Sequence, residues 1–318
     1  MATKITIIGA GSVGSTIAFM MAVKGIASEI VIIDINEKKA LGEAMDIRQG
    51  TPFCQPCKIY AGRYSDAAGS DIVVITSGIG RKPGQSRLDL AQTNVNIMKS
   101  IASEISVVAP NAMYVIVSNP VDVLTYVFNK VTNVPESHII GTGTLLDTAR
   151  LRSRLADYVN VSQKNVHAYV LGEHGDSSFV PWSSARVCNV PLEKFKESVT
   201  NPDAIPAELN YEEIENYMRT SGGKIIQRKG ATFYAIAVSV CDIVKTLLNG
   251  SDSVLCVSSM MHGEFGIEDV CLSIPTIVNG QGIKGTLLPD LTPDEVVKLQ
   301  HSAEVLKGVI SQIDYSQN

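Results

Sequence analysis

The sequence predicts an α/β protein, a doubly wound parallel sheet followed by an α+β second half. Three observations carry this expectation. Continuous apolar runs of strand length recur through the N-terminal part of the chain with helical segments between them, and strands buried on both faces read as unbroken runs. A glycine-rich turn, Gly9-Ala10-Gly11-Ser12-Val13-Gly14, joins the first run to the first helical segment. After about residue 142 the texture changes, so the expected division is 1–142 and 143–318.

Taken in order, Lys4-Ile5-Thr6-Ile7-Ile8 is the first buried strand, and residues 13–26 carry the small and apolar groups of a helix packed on a sheet. Residues 29–34, 71–76 and 113–118 are three more apolar runs, with helices expected over 37–48 and 88–108. This alternation is the pattern of a doubly wound sheet. In the second half a helix is expected around 147–158, then a strand over 166–171 that is rich in β-branched and aromatic residues. A charged segment at 206–220 reads as an exposed helix, and 224–249 as one long helix with an apolar face. Residues 254–257 and 270–275 read as antiparallel strands of a second domain. Thr292, followed by Pro293, marks the start of a C-terminal helix.

Composition excludes several classes of function. The chain has 318 residues, 45% apolar and 19% charged, which is globular rather than disordered. A net charge of −5 provides no basic field for nucleic acid. No apolar run reaches the ~18 residues needed to span a bilayer, and the N-terminus enters a strand without a secretory pattern. Cys54 and Cys57 form a lone C-x-x-C with no second pair, so no metal site is expected. All six cysteines read as reduced thiols of a cytoplasmic protein.

The glycine turn is a G-x-G-x-x-G that follows a strand, opens a helix and has Asp34 at the end of the next strand. That context is what a dinucleotide-binding (Rossmann) fingerprint requires. Gly9, Gly11 and Gly14 let the backbone approach a pyrophosphate, and the helix N-terminus beginning near Val13 supplies amide donors. Asp34 is placed to accept from ribose hydroxyls, and its charge repels a 2′-phosphate, which favours NAD over NADP.

His174 is the most informative single residue. It lies in Leu171-Gly172-Glu173-His174-Gly175-Asp176-Ser177, where an expected strand passes into a loop, and an imidazole titrates near neutral pH. Three further pieces accompany it: the polar loop Arg81-Lys82-Pro83-Gly84-Gln85-Ser86-Arg87, the segment Ser118-Asn119-Pro120-Val121-Asp122, and Asp147-Thr148-Ala149-Arg150. Asp147 and Arg150 are three apart, which on a helix puts both side chains on one face.

In their order and spacing, these motifs resemble the lactate/malate dehydrogenase family over essentially the whole chain. The resemblance implies that His174 is the acid/base, that Asp147 holds its tautomer and stabilises its charged form, and that Arg150 grips the substrate carboxylate with a two-pronged contact. It assigns Arg87, on a loop expected to close over 78–90, to polarising the substrate carbonyl, and Asn119 to a hydrogen bond near the same oxygen. NAD contacts are implied at Lys39, Tyr64, Gly78, Ile79, Ser100, Val117, Asn119 and Thr142, in addition to the fingerprint residues.

Substrate preference is where the motifs diverge. Gly141-Thr142-Gly143-Thr144, Glu173 and Thr232 resemble the lactate branch, with Thr232 set against the substrate methyl. Arg81 resembles the malate branch, where an arginine pairs with the second carboxylate of oxaloacetate. The expectation is an L-lactate dehydrogenase activity, with a malate or dual activity through Arg81 as the alternative. The resemblance also implies a homotetramer and a fructose 1,6-bisphosphate effector site at Arg152 and His167. A purely structural reuse of the fold predicts loss of a catalytic group, and none of His174, Asp147, Arg150, Arg87 and Asn119 is missing.

Overall fold

The computed structural model describes residues 3–80, 87–201 and 209–316, with the side chain of Arg87 also outside the description. The first half alternates strands and helices: β1 (Lys4–Ile8), α1 (Ser12–Val23), β2 (Glu29–Ile33), α2 (Glu37–Gly50), β3 (Lys58–Ala61), β4 (Ile72–Ile75), α3 (Arg87–Val108), β5 (Met113–Ile116), α4 (Val121–Val131) and β6 (Ile139–Gly141). The second half contains α5 (Leu145–Val159), β7 (Val166–His167), β8 (Arg186–Val187), β9 (Val190–Pro191), α6 (Phe195–Ser198), α7 (Tyr211–Lys229), α8 (Tyr234–Leu248), β10 (Ser253–His262), β11 (Glu268–Asn279), β12 (Gly282–Thr286) and α9 (Pro293–Ile310).

Among the described residues the main sheet has nine strands in the order β12-β11-β10-β6-β5-β4-β1-β2-β3. The six strands from β3 to β6 are parallel, paired by register from Lys4↔Glu29 and Ile5↔Ile72 outward. The chain winds from β1 to β2 and β3 on one side, then returns to β4 on the other. The carboxyl ends of β1 and β4 therefore flank a topological switch point, where ligands of open α/β sheets bind.

Successive side chains of each strand serve opposite layers. Ile8, Val31, Val73, Ile75, Tyr114 and Ile116 pack under α3, α4 and α9. Ile5, Ile7, Ile30, Ile32, Val74 and Val115 pack under α1, α2 and α8. Period-two alternation with both faces covered is why these strands read as unbroken apolar runs. A third, smaller core joins α5, β7, β8 and α7 through residues such as Leu151, Leu155, Val166, Val187, Ile214 and Met218.

The structure corrects four expectations. The expected long helix over 224–249 is two helices, because Gly230 at φ 85° ends α7 and α8 starts only at Tyr234. The charged helix expected at 206–220 is α7, displaced toward the C-terminus and burying Ile214 and Met218; residues 202–208 lie outside the described residues. The strand expected over 166–171 is regular only at Val166–His167, and pairing resumes as single bridges, Leu171 with Phe179 and Gly172 with Ser273. The strands expected at 254–257 and 270–275 are antiparallel to each other but continue the first sheet, since Ser258 of β10 pairs with Gly141 of β6. A Cβ at Gly141 would stand 2.9 Å from that of Ser258, so the seam closes only on a glycine.

The last helix, α9, is fixed by its first turn. Thr292 and Glu295 form a reciprocal capping box. The buried Glu295 carboxylate also accepts the Ser183 amide at 3.1 Å and the Ser183 hydroxyl at 2.6 Å. Burial raises the pKa of Glu295, and the hydrogen bonds from Ser183 and Thr292 outweigh burial and lower it. The stability this contributes is present above the unfolded pKa and lost as pH falls through the folded one. Glu295→Ala strands several buried donors at once and is expected to cost about 2–3 kcal/mol, with Glu295→Gln costing less; denaturant midpoints at neutral pH measure both.

Candidate active site

The glycine cradle forms where β1 hands over to α1. Gly9 has φ 113°, and a Cβ there would stand 2.5 Å from the Thr76 hydroxyl and 2.9 Å from the Ser77 amide. A Cβ on Gly14 would run into the Gly9 carbonyl. At Gly11, by contrast, a Cβ would meet nothing within 4 Å. Two glycines are thus required by close packing of strand and helix, and the third lies beneath open space. Gly11 caps α1 with no side-chain hydrogen bond, so the first amides of the helix face that space without an internal acceptor. This cradle fits a dinucleotide pyrophosphate.

Asp34 ends β2 beside the cradle. Its Oδ2 accepts the Ala10 amide at 2.7 Å and its Oδ1 accepts the Asn36 amide at 2.8 Å. These bonds hold the carboxylate at the rim, where its remaining lone pairs suit ribose hydroxyls. The opposite rim is the β4 exit, where Gly78 and Ile79 are exposed. Asn94 of α3, buried at 2% exposure, organises it. Its side chain accepts the Ile79 amide at 2.9 Å and donates to the carbonyls of Ile79 at 3.2 Å and Asn119 at 2.7 Å. Asn94 thus ties the ends of β4 and β5 together. Val117 and Thr142, buried just after β5 and β6, continue the same carboxyl edge, with the Thr142 amide donating to Ile116. Lys39 and Ser100 are exposed on α2 and α3, and the Tyr64 ring packs against the core. Among the described residues no hydrogen bond links these three side chains to the cradle.

The chemical centre assembles on the next part of that edge. Asp147, in the first turn of α5 and 4% exposed, holds His174 Nδ1 at 2.5 Å through one oxygen and Arg150 Nη1 at 2.7 Å through the other. Burial alone would raise the pKa of Asp147, but His174 and Arg150 together lower it. Burial alone would lower the pKa of His174, but the Asp147 carboxylate outweighs burial and raises it. Because Nδ1 is committed to Asp147, Nε2 is the nitrogen left to exchange a proton. Arg150 and Thr232 line one cavity of about 490 Å³, together with Leu146, Phe233 and Tyr234. A Cβ on Gly222 of α7 would stand 3.5 Å from Arg150 Nη2, so that helix passes close against the guanidinium. Asn119, next to the cis Asn119–Pro120 bond, is exposed. Its Oδ1 accepts the Val121 amide at 3.3 Å, which leaves the Nδ2 amide as the donor half.

The His174 loop is pinned from α4 and α9 and braced by a bond of its own. The His174 amide donates to Asp122 at 2.7 Å, the Glu173 amide donates to the Ser302 hydroxyl of α9 at 2.7 Å, and Glu173 accepts from the Ser177 hydroxyl. Asn94, Asp122 and Ser302 escaped the sequence reading; the one signal available was the position of Asp122 inside the Ser118–Asp122 motif. Arg81 lies outside the described residues, as does the side chain of Arg87, which begins α3. Arg152 donates from Nε to the Ala168 carbonyl at 3.1 Å and stacks on Tyr169, while His167 is exposed on β7. Among the described residues no helix is long and apolar enough to cross a membrane.

A nucleotide cradle at the switch point, joined along one sheet edge to an imidazole–carboxylate–guanidinium cluster, defines a nicotinamide-dependent dehydrogenase architecture. Family comparisons agree. Residues 3–141 match the lactate/malate dehydrogenase NAD-binding domain and residues 144–316 match the lactate/malate dehydrogenase alpha/beta C-terminal domain. The chain therefore belongs to the lactate/malate dehydrogenase family. It is 43% identical to an L-lactate dehydrogenase of Acetivibrio thermocellus, over 98% of this chain and 97% of that one. It is 44% identical to an L-lactate dehydrogenase of Priestia megaterium, over 96% and 94%. Among solved structures it is similar to the minor L-lactate dehydrogenase of Enterococcus mundtii, with TM-score 0.94, 36% identity and 99% of both chains covered. The L-lactate dehydrogenase of Clostridium thermocellum gives TM-score 0.86 at 39% identity, over 98% of this chain and 99% of that one.

Gly14→Ala places a methyl group against the Gly9 carbonyl and deforms the cradle. NADH affinity is expected to fall by about tenfold or more, a loss of at least ~1.4 kcal/mol, measured by fluorescence titration, while the far-ultraviolet circular dichroism stays that of the parent.

Proposed function

We propose that this chain is an NAD-dependent L-lactate dehydrogenase, reducing pyruvate to (S)-lactate and catalysing the reverse reaction. The observation that carries this reading is the single buried carboxylate of Asp147 shared between His174 and Arg150, with Thr232 lining the same cavity as Arg150. NAD, when bound in the cradle, supplies or accepts the hydride. Arg150 has one guanidinium nitrogen on Asp147, and the rest of its fork faces the cavity to take a substrate carboxylate. His174 gives a proton to the reacting oxygen from Nε2 or takes it back, and Asp147 stabilises the charged imidazole without itself being protonated. Asn119 donates near the same oxygen, and Arg87 polarises the carbonyl. Residues 1–142 form the cofactor domain and 143–318 the substrate domain.

Thr232 favours a small apolar substituent on the substrate, and Arg81 favours a second carboxylate. Comparing kcat/KM for pyruvate and for oxaloacetate decides between them, and Arg81→Gln isolates the contribution of the arginine. Pyruvate is expected to be preferred, with Arg81→Gln lowering oxaloacetate turnover by about tenfold or more; a preference for oxaloacetate overturns the lactate reading. His174→Asn is expected to lose a hundred- to ten-thousand-fold in kcat. In the wild type the reduction rate depends on protonated His174, whose pKa is raised. The kcat/KM for reduction is therefore level at low pH and falls as pH rises through a value above the ordinary histidine pKa.

The same reading includes a homotetramer regulated by fructose 1,6-bisphosphate. Supporting it, Leu41 and Met45 on α2, Phe19 and Val23 on α1 and Val238 on α8 are exposed apolar side chains on adjoining helices, a face suited to a second copy. The register β7–β8 sets Arg186 opposite His167, adding a cation near the proposed phosphate position. Adding the bisphosphate is expected to lower KM for pyruvate in the wild type and to have no effect in Arg152→Gln. Sedimentation velocity in both states reads the assembly.

A further inference from the structure

Asp122 is a buried acid that the chemistry above leaves unused. It lies in the first turn of α4 at 2% exposure, and its Oδ2 accepts the His174 amide at 2.7 Å. Its Oδ1 is sealed from solvent, with the Ser258 hydroxyl of β10 as the donor beside it and no hydrogen bond of regular geometry among the described residues. Satisfying one backbone amide does not require a carboxylate, since the neighbouring Glu173 amide is satisfied by the hydroxyl of Ser302. A buried carboxylate with one amide donor and one poorly aligned hydroxyl is costly to ionise. Burial pushes the Asp122 carboxyl up to about 6, against the pull of Ser258 and His174.

The groups around Asp122 restrict what its charge can serve. Glu173 and His174 lie on the loop and Cys271 on β11, with Asp147 and Arg150 of α5 beyond the imidazole. Glu173 repels a charged Asp122, and Cys271, itself held as a thiol by burial, provides no cation. The imidazolium of His174 is the positive group in direct range.

We propose that Asp122 is a positioning residue for His174, fixing its backbone through the amide and placing a second negative charge within electrostatic range of the imidazolium, so that two carboxylates rather than one retain the His174 proton. This rests on the acid–base reading of His174. Because ionisation of Asp122 is paid for in stability, the contribution of the neutral acid is complete below the unfolded carboxylate pKa and is lost as pH rises through about 6.

The test is Asp122→Asn, which retains an oxygen for the His174 amide and removes the charge. The high-pH limb of kcat/KM for pyruvate reduction is expected to move down by about half a unit to one unit, a three- to tenfold loss on the limb that is recovered by lowering the pH. The thermal midpoint at pH 7.5 stays level or rises, whereas a purely structural role predicts a fall with no movement of the limb. A limb that coincides with the wild type overturns the proposal. If a limb of the same pKa persists in His174→Asn, the acid–base reading of His174 fails instead. Should Asp122→Asn not fold, the wild-type protein labelled with ¹⁵N-histidine provides the second measurement. The His174 ring is then expected to show a separate inflection as Asp122 ionises, and a single inflection overturns the proposal.

Discussion

The Asp147 carboxylate is the interaction on which the rest of the site depends. It is buried, and an isolated buried carboxylate would take up a proton rather than stay charged. It remains charged because a guanidinium and an imidazole each take one of its oxygens, and because it sits in the first turn of α5, where the helix amides favour negative charge. The three groups are interdependent. Removing Arg150 leaves one oxygen of the buried Asp147 without its cation, and removing His174 leaves the other unpaired. On the proposed reading, one carboxylate thus sets the charge of the proton carrier and the orientation of the carboxylate-binding arginine.

That cluster must be brought to the nucleotide cradle, and the sheet does this. The cradle belongs to the ends of β1 and β4, Asn119 to the end of β5, and Asp147 to the helix after β6. Four neighbouring strand ends therefore carry the site along one edge, and Asn94 cross-links two of them. His174, like Thr232 between α7 and α8, does not come from this edge. Its loop is fastened from outside, by Asp122 of α4, by the Gly172–Ser273 bridge to β11, and by Ser302 of α9. Glu295 ties the start of α9 to Ser183, so the C-terminal helix is itself anchored before it presents Ser302. Distant packing and the position of the imidazole are thereby one problem.

What was legible in the sequence was local. The parallel strands announced themselves because both faces are buried, and the Asp147/Arg150 pair because a helix repeats every 3.6 residues. Strands β3, β6, β8, β9 and β12 were missed: Lys58-Ile59-Tyr60-Ala61 is not an apolar run, β6 has three residues, β8 and β9 have two each, and β12 contains two glycines. The break between α7 and α8 was hidden because the residues on both sides favour helix, and Gly230 alone marks the stop. Asp122, Asn94 and Ser302 act on partners 52, 25 and 129 residues away, and no sequence period records such a distance. The joining of β10 to β6 was illegible for the same reason, since it is written in the absence of a side chain at Gly141 and not in a pattern.

On the proposed reading, catalysis and substrate choice are carried by different kinds of structure. His174, Asp147, Arg150 and Asn119 stand on strand ends, helix turns and a pinned loop, and they address features shared by every 2-oxo acid: one carboxylate and one carbonyl. The features that differ between pyruvate and oxaloacetate fall to Thr232, in the short connection between α7 and α8, and to Arg81, in the polar segment before α3. Two opposite charges about 4 Å apart attract by ~4 kcal/mol at an effective dielectric of 20, so a single arginine on such a segment can outweigh a methyl contact worth ~1–3 kcal/mol. Specificity can then change by substitution at one connecting residue while the buried Asp147 cluster, whose members cannot be altered singly, stays as it is.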